Sequence, residues 1–175
     1  MNDSPLQGKL AALRLAFDRA FAVAPVTSRV PTEDFLAIRV GPDPYAVRLA
    51  EISGLYADRK VTIVPTAIPE LLGITGVRGA VVPVYDLRAL FGYPPGEPSR
   101  WLMVAAGRTV GFAFDGFDGH LRFPKAERPS EEPGRAGPYT RGVLTTGEVS
   151  RPVLNVGNIL EAIQRRAQAA RTQEE

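Results

Sequence analysis

Residues 35–49 read Phe35-Leu36-Ala37-Ile38-Arg39-Val40-Gly41-Pro42-Asp43-Pro44-Tyr45-Ala46-Val47-Arg48-Leu49, and residues 101–114 read Trp101-Leu102-Met103-Val104-Ala105-Ala106-Gly107-Arg108-Thr109-Val110-Gly111-Phe112-Ala113-Phe114. Each is an apolar run, a Gly-containing turn and a second run with a period of two, which is the pattern of a β-hairpin. Set 65 residues apart, Leu36, Ile38, Tyr45, Val47, Leu49, Ile52 and Gly54 fall on Trp101, Met103, Val110, Phe112, Phe114, Phe117 and Gly119. Further on, Arg78-Gly79 is matched with Arg141-Gly142. Pro83-Val84-Tyr85-Asp86 followed by Leu90 is matched with Pro152-Val153-Leu154-Asn155 followed by Ile159. The second copy holds six more residues between its Arg-Gly and its Pro, centred on Thr146-Gly147, where a hairpin turn fits. The same order of hairpin, Gly-centred turn, Arg-Gly, Pro-strand and capped helix occurs twice, so the chain is an internal duplication. Units of about 65 residues made of short strands leave sheet edges open unless they close, which predicts two small pseudo-symmetric barrels. The first spans about 35–92 and the second about 97–158, crossover of the chain between them being open, with Tyr93-Pro94-Pro95-Gly96 as the junction.

Outside the duplication, Leu6, Leu10, Leu13, Phe17 and Phe21 have the spacing of an amphipathic helix, within an N-terminal extension over 1–34. That helix either lies on its own domain or binds a partner. Thr66 to Leu72 reads as a short helical turn opened by Pro69, Gly79 to Tyr85 as a strand, and Leu87 to Phe91 as a helix capped by Asp86 and stopped by Gly92. Residues 124–138, with four prolines and two glycines, read as a long loop. Ile159, Leu160, Ile163 and Ala167 open a short C-terminal helix, and 164–175 reads as a polar tail.

Composition removes several function classes. Of the 175 residues none is Cys and one is His, so disulfides, Cys-based metal sites and thiol or Cys-His nucleophiles are excluded. The net charge is +2, and the charges are spread evenly: 1–34 hold four basic and four acidic groups, 35–95 six and five, 96–160 eight and seven, 161–175 three and three. No segment is the like-charge block of a nucleic-acid arm or an anionic-membrane anchor. Arg14, Asp18 and Arg19 interrupt the first apolar stretch, so neither a signal peptide nor a membrane span is expected, and the location expected is the cytoplasm.

Few residues could carry chemistry. His120 lacks the Ser and Asp arrangement of a hydrolase, and structure is the expected role for it in Gly119-His120-Leu121-Arg122-Phe123. Asp115, Asp118 and Gly119 lack the spacing and closing Glu of a calcium loop. Gly76-Val77-Arg78-Gly79 fits the Gly-x-x-Gly of a nucleotide-clamping loop, but it runs into a strand where such a loop joins two helices. No metal, no cofactor and no catalysis are expected.

The stretch from Ile68 to Arg88, Ile68-Pro69-Glu70-Leu71-Leu72-Gly73-Ile74-Thr75-Gly76-Val77-Arg78-Gly79-Ala80-Val81-Val82-Pro83-Val84-Tyr85-Asp86-Leu87-Arg88, resembles the signature of the CheW-like domain, the coupling module of bacterial chemosensory arrays. Tyr45-Ala46-Val47, Val110-Gly111-Phe112 and Tyr139-Thr140-Arg141-Gly142 are similar to the family's other landmarks, in matching order. The likeness covers roughly 34–163, so 35–163 is taken as the domain. It implies a mainly β fold of two SH3-like barrels. It also implies a non-catalytic scaffold that binds the cytoplasmic tip of a chemoreceptor and the regulatory domain of a CheA-type histidine kinase, without nucleic acid or membrane insertion. Carried over by position, the receptor-binding residues implied are Arg78, Val47, Leu49 and Ile52.

The chain departs from the family pattern at three places. Gly76 stands where Asn is usual, Gly54 where an acidic residue is common, and Asn155 where the second unit ends in Asp. A CheW-like paralogue that binds receptor but not kinase is therefore an alternative, as is, from another class, a small-barrel nucleic-acid binder. Arg78 itself has two readings: an interface anchor, or a structural guanidinium bonded to loop carbonyls, as its match to Arg141 suggests.

Overall fold

The computed structural model describes residues 31–125 and 137–173. The expected N-terminal helix lies outside the described residues, as does most of the 124–138 loop.

Ten strands and two helices follow Pro31: β1 (Thr32–Val40), β2 (Asp43–Arg48), a 3-10 turn at Leu49–Glu51, β3 (Ile52–Ala57), β4 (Leu71–Val77), β5 (Ala80–Asp86), α1 (Leu87–Leu90), β6 (Trp101–Ala105), β7 (Gly111–Phe114), β8 (Gly116–Pro124), β9 (Thr140–Thr146), β10 (Val149–Leu154) and α2 (Val156–Gln173). Thr66 to Leu72 is not helical. One turn closes there with the Leu71 amide donating to the Ile68 carbonyl, and β4 begins at once. Pro69 does open a turn, but pairing of Leu71 with Tyr85 in β5 takes the chain into a strand before a helix can form. The C-terminal helix runs ten residues into the expected polar tail, since Arg165, Gln168 and their neighbours are good helix formers on an exposed face.

The strands form two five-stranded sheets, ordered β8-β1-β2-β10-β9 and β3-β6-β7-β5-β4. Advancing every strand of one sheet by five places in chain order, and wrapping round, reproduces the other. The duplication is therefore real, but the two halves have exchanged their opening hairpins. β1–β2 sits in the sheet built from the second half, and β6–β7 in the sheet built from the first. The expected division at the junction thus describes the repeat and not the barrels. Equivalent residues make equivalent parallel pairs: Val84 of β5 lies opposite Gly111 of β7, and Val153 of β10 opposite Ala46 of β2.

The exchange explains the core. Leu36, Ile38, Val40 and Val47 from one hairpin meet Met103, Ala105, Phe112 and Phe114 from the other, and α2 adds Val156, Ile159 and Ile163. Opposite faces of the same hairpins line private cores, Phe35 and Ala46 with Leu144 and Val153 in one sheet, Leu102 and Ala113 with Val84 in the other. Both faces of β2 and β7 are thereby covered. Each fully buried Val or Phe contributes roughly 1.5–3 kcal/mol, so the interlocked hairpins bind the two barrels into one packed unit.

The helix caps are also paired. The Asp86 carboxylate accepts from the Arg88 amide at 2.9 Å, and the Asn155 side-chain oxygen from the Asn158 amide at 3.2 Å. Burial pushes the Asp86 carboxyl above its usual range, helped by the nearby Asp115 charge, against the opposing bond from the Arg88 amide.

Candidate functional site

Arg78 lies in the two-residue turn between β4 and β5, with Val77 and Ala80 paired on either side. Its φ is +49° and that of Gly79 is +80°. Two successive positive φ values make a type I′ turn, where Asn-Gly or Gly-Gly is the unstrained choice. An Arg in the left-handed region costs about 1–2 kcal/mol relative to the right-handed one. The side chain is exposed and makes no hydrogen bond or ion pair with the described residues.

This position corrects the sequence match with Arg141. Pairing sets Ile74 opposite Pro83 and Val143 opposite Pro152, so Gly142 corresponds to Gly73 and Arg141 to Leu72. The counterpart of Arg78-Gly79 is Gly147-Glu148, the turn between β9 and β10. The six extra residues in the second copy vanish once the turns are aligned. The structural reading of Arg78 loses its support with them. Arg141 does have an internal partner, Glu51 in the 3-10 turn, at 2.5 Å.

The other implied receptor contacts separate. Val47 is 0% exposed in the shared core and cannot touch a partner in the folded chain, which removes it from the surface. Ile52 packs half-buried against the same core. Leu49 is 39% exposed where the chain crosses from one sheet to the other. With Thr32, Glu33, Asp34, Ala50 and Lys125 it lines a cavity of about 370 Å³, and Arg48 beside it pairs with Glu33 at 2.9 Å. At its edge the Asp34 carboxyl is held below its usual range, chiefly by its hydrogen bond from Arg122, with His120 adding to the effect. His120 is thus a half-exposed partner of a carboxylate. Leu49 thus sits in the turn between the two sheets, and Arg78 at the end of one of them.

Sequence reasoning passed over what surrounds Arg78. Thr62 and Ile74 bond amide to carbonyl in both directions, and the Thr75 hydroxyl donates to the Lys60 carbonyl at 2.8 Å, which lays residues 60–62 along β4. Asp58, also left-handed at φ +55°, turns the chain out of β3 and is occupied by Arg100 at 2.9 Å. Arg59 stacks over the Tyr56 ring, 5.0 Å from its centre. Tyr56 in turn occupies the space at Gly54: a Cβ there would meet its hydroxyl at 2.7 Å. Val81 is 65% exposed. The signal available in the sequence was the short run Asp58-Arg59-Lys60 between strands.

A cavity of about 470 Å³ is lined by Tyr45, Leu90, Phe91, Gly92, Gly137, Pro138, Tyr139, Thr140 and Pro152. Its wall is an aromatic stack, Phe91 on Tyr139 at 5.4 Å and Tyr45 on Phe91 at 5.3 Å. Tyr45 bonds Tyr93 at 2.8 Å, and burial followed by the bond to Asp43 holds the Tyr93 phenol well above its usual range. A phenol whose deprotonation is opposed by burial and by a neighbouring carboxylate stays neutral near neutral pH, so Tyr93 positions elements and does no acid–base work. Among the described residues no three His, Asp or Glu side chains are grouped to hold a metal ion.

Residues 34–164 match the CheW-like domain family. A probable chemotaxis protein CheW of Rhizobium etli is 29% identical over 86 residues, 47% of this chain and 56% of that protein. The chemotaxis protein CheW of Klebsiella aerogenes is 25% identical over 137 residues, 74% of this chain and 82% of that one. The match therefore spans little more than half the length of the first relative. The scaffolding protein TtCheW of Thermoanaerobacter tengcongensis superposes with a TM-score of 0.62 at 17% identity, covering 71% of this chain and 90% of that one, a likeness of fold.

Proposed function

Because the chain belongs to the CheW-like domain family, whose members are non-catalytic scaffolds of chemotaxis, we propose that it couples the cytoplasmic tips of chemoreceptors to the regulatory domain of a CheA-type histidine kinase in the cytoplasm. The observation that carries this reading is Arg78. A strained, exposed side chain with no partner among the described residues serves no visible purpose in the fold, and backbone strain of this kind collects at sites of function. It stands at the turn of the long family-like motif, on a double sheet rigid enough to hold it in place. Scaffolding needs this and no reactive group. No helix among the described residues is long and apolar enough to cross a membrane, in keeping with a protein brought to receptors by binding.

One observation favours a second reading, a paralogue that retains the receptor and has given up the kinase. Gly54 replaces an acidic residue common in the family, and Tyr56 has filled the space it left. Pull-down of the full chain against a receptor cytoplasmic fragment and, separately, the kinase regulatory domain tests both. Capture by both supports coupling, by receptor alone the second reading, and by neither overturns the proposal.

A further inference from the structure

The two copies of the duplication differ in how far their helices run. In each copy the residue that caps the helix also ties it to the entry of a strand in the other half: the Asp86 amide donates to the Glu70 carbonyl at 2.8 Å, and the Asn155 amide to the Tyr139 carbonyl at 2.8 Å. Leu71 pairs with Tyr85 as Thr140 does with Leu154, so the turn at 68–70 is the counterpart of the turn at 137–139. In the second copy the helix continues. α2 buries Ala162 and Ile163, donates from Arg166 to Glu70, and carries Ala169 and Ala170 past Ile68 and Pro69, leaving a gap of only about 190 Å³. In the first copy α1 ends after one turn, where Gly92 at φ +77° turns the chain away, and the positions equivalent to Ala162 and Ile163 are Tyr93 and Pro94. The surface at Pro138 and Tyr139 therefore keeps an open groove of about 470 Å³.

The groove is preformed. Phe91 stacks on Tyr139 with ring planes 14° apart, and the Tyr139 hydroxyl accepts from Arg166 at 3.3 Å, which holds the ring in place. No charged side chain lines it. Tyr45 and Pro152 also wall a second cavity of about 350 Å³, whose one charged residue is Asp43. Asp43 is exposed and accepts from the Tyr93 hydroxyl, but it has no cationic partner among the described residues.

We propose that this groove docks a basic amphipathic helix of a partner other than the receptor and the kinase, with its apolar face on Tyr45, Phe91 and Tyr139 and a lysine or arginine against Asp43. The second copy gives the shape of the occupant, since helix turns fill the equivalent place there, and Asp43 gives its charge. Apolar side chains at i, i+3, i+4 and i+7 lie along the rings, as in other helix-in-groove contacts. An acidic helix would set like charge against Asp43. Arg78, Val47, Leu49 and Ile52 are all absent from the groove walls, so the inference goes beyond the coupling reading and does not rest on it.

The test titrates the full chain with a labelled peptide of about 18 residues, about five helical turns, with leucines on one face and lysines along its edge. The controls are the same peptide with glutamate for lysine and the same peptide broken by central prolines. Fluorescence anisotropy should show binding of the lysine peptide, and each control should bind about tenfold or more weakly. Tyr139→Ala should weaken the lysine peptide about tenfold or more, as truncation of an aromatic anchor does. Asp43→Asn, which keeps an acceptor for Tyr93, should weaken it about three- to tenfold and flatten its dependence on salt. Residue 43 is exposed, so this variant serves even where Tyr139→Ala fails to fold. Binding of the receptor fragment and of the kinase domain should stay within about twofold in both variants. No binding of the lysine peptide up to about 1 mM, equal binding of the lysine and glutamate peptides, or unchanged affinity in a folded variant overturns the inference and leaves the coupling proposal standing. Displacement of the peptide by the receptor fragment or the kinase domain assigns the groove to coupling, and self-association of the chain that Tyr139→Ala abolishes assigns it to a second copy; either also overturns the inference.

Discussion

Replacing Arg78 by glycine should stabilise the fold and weaken the function, a combination that few mutations of a structural residue produce. The turn holds Arg78 at φ +49°. A non-glycine residue there costs about 1–2 kcal/mol, which glycine avoids, while the greater freedom of glycine in the unfolded chain returns about 0.5–1 kcal/mol. No hydrogen bond or ion pair among the described residues is lost. The net gain is thus about 0–1.5 kcal/mol, and at about 2–4 °C per kcal/mol for a chain of this size the melting temperature should hold or rise by up to about 6 °C. Arg78→Ala keeps the strain and loses the guanidinium, so its melting temperature should stay within about 2 °C of wild type. Both variants should lose receptor binding about tenfold or more if the side chain is an anchor. Scanning calorimetry and receptor co-sedimentation on the same preparations read the two effects. A fall of several degrees in Arg78→Gly would show that the guanidinium holds the fold, and unchanged binding in both variants would refute its part in docking.

Three further predictions concern the frame. Phe112→Ala empties a fully buried site between the exchanged hairpins; it should cost about 3–5 kcal/mol and, since both barrels share that core, lower a single unfolding transition in a denaturant titration without splitting it. Glu70 accepts from Arg166, and its second oxygen has no partner among the described residues, so Arg166→Ala strands the carboxylate. A loss of about 1–3 kcal/mol is expected, with partial recovery on adding Glu70→Gln, both read by thermal melting. Asp86→Asn keeps the cap acceptor, as Asn155 does in the other copy, and removes a carboxylate whose folded value is raised by burial. The folded protein binds that proton more readily than the unfolded chain, so in wild type this group takes stability away as pH rises from the ordinary aspartate value through the raised one. Stability against pH should be flatter through that window in the variant, and slightly higher near neutrality.

Strands were legible because period-two alternation and Gly-containing turns are local. The breaks after Val40, Ala105 and Thr146 all stand where expected. What alternation does not encode is the partner of a strand. Nothing between Leu49 and Ile52 announces that the chain leaves one sheet for the other, so the exchange of hairpins had to be seen. The fate of Val47 follows from that. Its own strand shows only that it faces away from Ala46, and the second hairpin covers the face that would otherwise be open. The match of Arg78 to Arg141 failed because it aligned residue types, whereas the repeat conserves turn position. The stretch Asp58-Arg59-Lys60 was passed over because its importance comes from the Thr62–Ile74 bridge, a contact between segments separated by a sharp left-handed turn at Asp58.

The central claim is that the chain joins two partners at once. The most direct measurement is co-sedimentation of the kinase regulatory domain with a receptor cytoplasmic fragment clustered on vesicles, with and without the full chain. Coupling predicts that the kinase domain pellets with the receptor only when the chain is added, in proportion to it, and that Arg78→Ala weakens the effect. Pelleting of the chain with receptor while the kinase domain stays in the supernatant at every concentration would contradict it.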